Sequence, residues 1–252
     1  MAGAAQWGAR LVALLASFAG LAAAAAVLPS AARDGAVADI GRRLASRERF
    51  AAPDLARMDR PDSAARAARR CDLPVLRGLA LIRASRSEQA AAAGDLALVD
   101  AVRADLAVTA RDILTCMPRE GIAWFILAWL ETAREGATPQ ALELLAMSYR
   151  QAPLEAWVAL PRIDMALKHV SAVDEATRAA IVREWRSLLI GGFESFAAQT
   201  FARAAAGDQD ALIPALDGVP AANLRWFLRH LENLDATERL PAQYRDRDRP
   251  WR

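Results

Sequence analysis

Glycine punctuates the later two-thirds of this chain, at Gly94, Gly136, Gly191-Gly192, Gly207 and Gly218, and between these points apolar residues return every three or four positions. That period is helical, and a glycine just past a periodic stretch is a helix-stop signal. The spacing predicts helices over about 74–91, 95–116, 119–135, 138–151, 154–168, 172–190, 193–206, 208–216 and 220–234. Their connections are short, so consecutive helices should lie antiparallel as hairpins. Ala, Leu and Arg dominate the composition and all favour helix, while β-branched residues are sparse. The expected fold class is all-α.

Residues 11–28 form an uncharged apolar run of 18 preceded by Arg10, which reaches the length of a transmembrane helix. Ser30-Ala31-Ala32 would also suit cleavage of a secretory signal, although the run exceeds the usual apolar core of one. Residues 1–32 are therefore read as a membrane anchor, with a cleaved signal segment as the alternative. Residues 33–70 read as an arginine-rich connector with short helices over 37–49 and 63–70, broken at Pro53 and Pro61; an ordinary solvated pair of helices packed on the domain is the alternative. A helical domain spans 71–240, and residues 241–252 form a charged tail expected to be loose.

The formal net charge is +2, with both signs mixed along the chain. No basic face points to nucleic acid. Every basic residue but Lys168 is arginine, a bias that reads as codon composition rather than as individually selected guanidiniums. Arg33, Arg42, Arg43, Arg47 and Arg49 lie just past the apolar run, and the positive-inside rule would place the helical domain in the cytoplasm.

Cys71 and Cys116 are the only cysteines. They stand equidistant from the expected turn at Ala93-Gly94-Asp95, so an antiparallel hairpin would bring them side by side at its open end. Packed helix axes are about 8–10 Å apart, wider than the Cα separation of about 4.4–6.8 Å that a disulfide needs. Both cysteines lie at expected helix ends, where chains can converge. Two buried thiols are the alternative. A disulfide implies a compartment outside the cytoplasm, and this geometry is weighted above the arginine count. The expected location is the inner membrane with the domain facing the periplasm; a cytoplasm-facing or secreted domain is the alternative.

Trp157 comes 33 positions after Trp124. Between them Trp124, Leu127 and Ala128 lie on one expected helix, Ala141 and Leu145 on the next, and Pro153 closes the unit. In these residues the chain resembles the tetratricopeptide repeat, whose helix–turn–helix unit of about 34 residues carries a Trp-Leu-Gly-Tyr series, then an Ala-Phe pair and a proline. Ala128 stands for the glycine, Glu131 for the tyrosine and Leu145 for the phenylalanine. The likeness covers 119–153 well and the flanks 95–118 and 154–190 in part. Pro161 interrupts the next unit, where the helix should kink or restart. The resemblance implies a short α-solenoid of antiparallel hairpins that binds proteins. Ser148-Tyr149-Arg150-x2-Pro153 and then Trp157, behind an N-terminal anchor, is similar also to small membrane-anchored helical proteins accompanying bacterial exopolysaccharide or O-antigen assembly.

Ile122 to Leu130 is apolar throughout. A helix apolar all round is buried all round or meets a partner with its second face. Trp124 and Leu127 take the packing positions, leaving Phe125 and Trp129 on a common face. In the resembled family that face lines the groove that receives a partner; the alternative is that both side chains pack under the flanking helices. His169 reads as a helix-end residue, and His230 as the edge of an amphipathic helix. No phosphate loop, dinucleotide fingerprint or zinc-protease motif is present, so no catalytic residue, cofactor or metal ligand is expected. The expected function is a membrane-anchored scaffold that binds or positions other cell-envelope proteins, with an accessory role in polysaccharide assembly or export. The alternatives are an obligate structural subunit of a membrane complex and an enzyme with a dispersed site.

Overall fold

Helix accounts for all the regular backbone that the computed structural model describes. It describes the backbone of residues 2–245 and, outside 2–16, 19, 23–24, 26, 30 and 245, their side chains. Thirteen α-helices are described: α1 (Ala2–Ala45), α2 (Ala52–Met58), α3 (Pro61–Arg70), α4 (Leu73–Ala92), α5 (Leu96–Cys116), α6 (Gly121–Glu135), α7 (Pro139–Gln151), α8 (Ala156–Ala166), α9 (Glu175–Ile190), α10 (Glu194–Arg203), α11 (Ala206–Leu212), α12 (Ala221–Asn233) and α13 (Ala242–Arg245). Tight 3-10 turns over Leu167–His169 and Ile213–Leu216 extend α8 and α11. The nine helices expected from residue 74 to residue 234 are all present, with ends shifted by a few residues.

Local chemistry accounts for the boundaries. Side-chain oxygens of Asp72, Thr138 and Asp174 accept the backbone N–H three residues on, at 3.4, 3.1 and 2.9 Å, and so open α4, α7 and α9. Each satisfies one of the amide donors a helix leaves unpaired at its start. Pro74 and Pro139 sit in the first turns of α4 and α7, where a missing N–H costs nothing. Gly136, at φ 81°, takes the left-handed turn that ends α6. Pro161 starts no new helix. It lies inside α8, exposed, so its ring meets solvent on the outer side of the helix.

The chain forms two compact units, residues 1–112 and 113–252, which divide within α5. In the first, α1, α2 and α3 each pack on α4, so residues 33–70 are part of a core rather than a free connector. Leu55 and Ala67 are buried. Helices α1 and α4 touch backbone to backbone. A Cβ added to Gly41 would lie 2.4 Å from the Gly78 Cα, and one added to Gly78 would lie 2.4 Å from the Val37 carbonyl oxygen. Arg83, buried on α4, donates to Asp59 at 2.8 Å, to the Asp105 carbonyl at 2.9 Å and to the Thr109 hydroxyl. One side chain thereby ties α4 to the end of α2 and to α5.

The expected membrane span, 11–28, lies on α1, and most of its side chains fall outside the described residues. Those that are described include Phe18, Leu21, Val27 and Leu28, exposed by 79%, 75%, 55% and 63%. Among the described residues no helix is long and apolar enough to cross a membrane.

In the second unit α6 and α7 form an antiparallel hairpin, and α8 and α9 come after it. The remaining helices gather around three aromatic rings. Trp185, Phe201 and Phe227, from α9, α10 and α12, have centroids 5.6–6.1 Å apart, with Phe227 edge-on to both others. Such pairs contribute roughly 0.5–1.5 kcal/mol each beyond their buried area. The expected loose tail is in part anchored. Tyr244 is buried, and its hydroxyl donates to Asp217 Oδ1 at 2.7 Å. Residues 246–252 lie outside the described residues.

Candidate functional site

In the α6–α7 hairpin Ala128, Ala141 and Leu145 are fully buried, so the small side chains of the repeat pattern sit where helices meet closely. Trp124, Leu127, Trp129 and Trp157 are half-buried and Pro153 is exposed. The Trp124 indole donates to the Pro118 carbonyl at 2.8 Å, and that of Trp157 to Glu155 at 3.2 Å. Of the two expected groove residues, Phe125 is only 7% exposed. Its ring is core, and Trp129 alone retains exposed surface. The first residue of α6 explains the tightness of the hairpin. A Cβ on Gly121 would stand 2.2 Å from the Ala152 Cβ, so no larger residue fits without parting α6 from the end of α7.

A polar network that no sequence motif announces lies directly beneath. Arg162 of α8 is 0% exposed, Glu184 of α9 is 1% and Ser148 of α7 is 0%. The Arg162 guanidinium donates from Nε to Glu184 Oε1 at 3.1 Å and from Nη2 to Glu184 Oε2. It donates also to the Ser148 hydroxyl at 2.9 Å and to the Ala152 carbonyl at 3.0 Å. Ser148 in turn donates to the Gly121 carbonyl at 2.8 Å. The guanidinium carbon stands 3.9 Å from the Tyr149 ring centroid. Helices α7, α8 and α9 thus meet on one cation, and Ser148 links it on to α6. A bidentate guanidinium–carboxylate pair is the strong form of the charged hydrogen bond. The sequence does carry a signal for it. Arg162 falls among Val158, Ala159, Ile163 and Ala166, and Glu184 among Ile181, Trp185 and Leu188. Opposite charges embedded in the apolar faces of consecutive helices find each other, because neither survives burial alone.

The Tyr149 hydroxyl is buried and makes no hydrogen bond of ordinary geometry. Burial, and then the negative charge of Glu184, hold its pKa well above the ordinary phenol value. The folded protein therefore keeps this proton to higher pH than the unfolded chain. Its contribution is intact below the unfolded pKa of about 10 and is lost as pH rises beyond it. Denaturation midpoints measured into that range should fall, and the Tyr149→Phe variant should fall less steeply. Equal slopes for the two proteins would assign the alkaline loss elsewhere.

Every member of this network is within 5% of complete burial. It can brace helices, but it offers no open face to a substrate. Neither His169 nor His230 is hydrogen-bonded to a carboxylate among the described residues. His169 ends the 3-10 turn after α8, and burial, then the charge of Lys168, lowers its pKa. His230 lies beside the Trp226 ring, centroids 6.4 Å apart. Among the described residues no cluster of three or more His, Cys, Asp or Glu side chains is placed to hold a metal ion. Cys71 and Cys116 are both disulfide-bonded, as their equal distance from the turn predicts. Cys71 itself adopts φ 50° at the end of α3, and its N–H bonds the Ala67 and Ala68 carbonyls. Comparison with protein-family models, with curated protein sequences and with solved structures finds no match to this chain.

Proposed function

We propose that this protein is a membrane-anchored helical scaffold whose domain faces the periplasm and holds or positions other cell-envelope proteins, as an accessory to polysaccharide assembly or export. The observation that carries the anchoring is the division of α1. Its earlier part presents Phe18, Leu21, Val27 and Leu28 outward. Its later part packs Val37 and Gly41 against the protein. Large apolar side chains that face outward on a helix so firmly seated at its other end call for an apolar surrounding, and a bilayer provides one. The disulfide supports the compartment, because reducing cytosol does not preserve such bonds. The tetratricopeptide-like hairpin supports the scaffold role, since repeats of this kind present surfaces rather than chemistry. With Phe125 in the core, Trp129 and its surroundings on α6 are what remains of the groove.

Alkaline carbonate extraction of native membranes tests the anchor. The full chain should remain in the pellet, and a version lacking residues 2–32 should not. Thiol labelling tests the compartment, with Cys71 and Cys116 expected to react only after reduction. Release of the full chain by carbonate, or free labelling without reductant, would overturn the reading. Crosslinking from the same membranes should then recover envelope proteins with the full chain, and fewer with Trp129→Ser.

A further inference from the structure

A second surface stands out, on α12 and the turn between α9 and α10. The inner face of α12 carries Leu224, Phe227 and Leu231, all buried. Its outer face carries Arg225, Trp226 and Arg229, all exposed. Trp226 is 53% exposed, an unusual position for the side chain with the largest apolar surface. The Arg229 guanidinium lies 5.6 Å from its ring centroid. Neither Arg225 nor Arg229 lies within ion-pair distance of a carboxylate among the described residues. Glu232, three positions after Arg229, is exposed and likewise without an ion pair among the described residues.

The neighbouring turn is held firmly in place. The Asn223 side-chain amide donates to the Leu189 and Ile190 carbonyls at 3.3 and 3.2 Å and to Glu194 Oε1 at 2.7 Å. This clasp joins the first turn of α12 to the end of α9 and the start of α10. It also engages the Glu194 carboxylate internally. The turn it fixes displays Ile190 and Phe193, 40% and 38% exposed. Trp226 lies one helical turn beyond Asn223. A rigid clasp therefore presents aliphatic and aromatic side chains beside two guanidiniums that no described carboxylate neutralises.

We propose that this surface binds an anionic phospholipid bilayer at its headgroup level. Tryptophan is preferred at that depth because its ring is apolar with one polar edge. Arginine stems lie along apolar surface while their heads reach phosphate, and a cation near an anionic leaflet is drawn to its surface charge. Ile190, Phe193 and Trp226 would enter the interface, and Arg225 and Arg229 would meet the phosphates. An acidic protein segment would satisfy the cations without needing the apolar tip. The inference rests on the membrane anchoring proposed for α1, to which it adds a second, composition-dependent lipid contact.

The test uses the full chain reconstituted in vesicles of phosphatidylcholine alone, or of phosphatidylcholine with phosphatidylglycerol. The emission of Trp226 is isolated as the difference between the wild type and Trp226→Phe. In anionic vesicles it should shift to the blue, lose accessibility to acrylamide and be quenched by brominated phosphatidylcholine. In zwitterionic vesicles none of this should occur, and Arg225→Glu with Arg229→Glu should abolish the difference between the two. Flotation with both vesicle types but identical Trp226 emission overturns this proposal and leaves the anchor standing. Flotation with anionic vesicles alone overturns the anchor and supports the patch, and flotation with neither overturns both. Protection of Trp226 by a poly-glutamate peptide, without protection by lipid, overturns the proposal in favour of a protein ligand.

Discussion

Replacing Arg162 with methionine lowers the stability of residues 113–252 by about 3–5 kcal/mol, the cost of leaving one partner of a buried ion pair alone. Glu184 would remain 1% exposed with no cation, and the Ser148 and Ala152 acceptors would lose their donor. The companion experiment is the pair Arg162→Met with Glu184→Leu. Two apolar residues of similar bulk remove both the charge and its desolvation penalty, and such replacements are often close to neutral. The double variant should therefore recover most of what the single variant loses, with a remainder for the Ala152 carbonyl. Chemical denaturation, read alongside amide exchange in α8 and α9, measures both. A double variant as unstable as the single one would show that the pair matters through its hydrogen bonds to α7 rather than through its charges.

The second large effect is expected at Gly78. The three atoms nearest a new Cβ are all backbone, the Val37 carbonyl oxygen at 2.4 Å, its carbon at 3.0 Å and the Ala38 Cα at 3.2 Å. No rotamer change relieves a backbone clash, so α1 must move off α4. Gly78→Leu should cost about 3 kcal/mol or more, at the upper end of overpacking penalties. It should also expose the amides of Val37 to Gly41 to exchange. Gly35, on α1, is the internal control. A Cβ there meets nothing within 4 Å, so Gly35→Ala should stabilise the helix by about 1 kcal/mol through backbone entropy alone. Opposite signs at two helical glycines would separate close packing from propensity. A Gly78→Leu protein with unchanged exchange at Val37 would refute the backbone contact.

The helices are legible in the sequence because their information is local. Each shows its period, and some add an opening Asp or Thr or a closing glycine, as Asp174 and Gly136 illustrate. The disulfide is legible because a hairpin converts spacing into proximity. Information that is not local is harder to read. Residues 33–70 look like a connector because their arginines look solvated, whereas Arg66 reaches Asp34 at 3.1 Å across 32 positions. Phe125 looks like groove because a periodic pattern states which residues are apolar and not how many neighbours a helix has. The Arg162–Glu184 pair is visible as two charges on apolar faces, but only topology brings them together. Near the C-terminus, the Tyr244 anchor depends on Asp217, which no repeat pattern singles out.

The arginines divide into two populations with different freedom to change. Arg42, Arg57 and Arg134 lie on the surface in pairs three positions apart, where lysine would serve equally because such contacts contribute little. Arg83, Arg162 and Arg186 each donate to main-chain carbonyls of distant segments as well as, for the first two, to a carboxylate. That needs a planar, many-armed donor, and a lysine ammonium is neither. A lineage of this protein drifting toward lysine-rich composition would be free to rewrite its exterior, yet would have to keep these few guanidiniums as fixed points, and they would remain readable as such after the rest of the surface had changed.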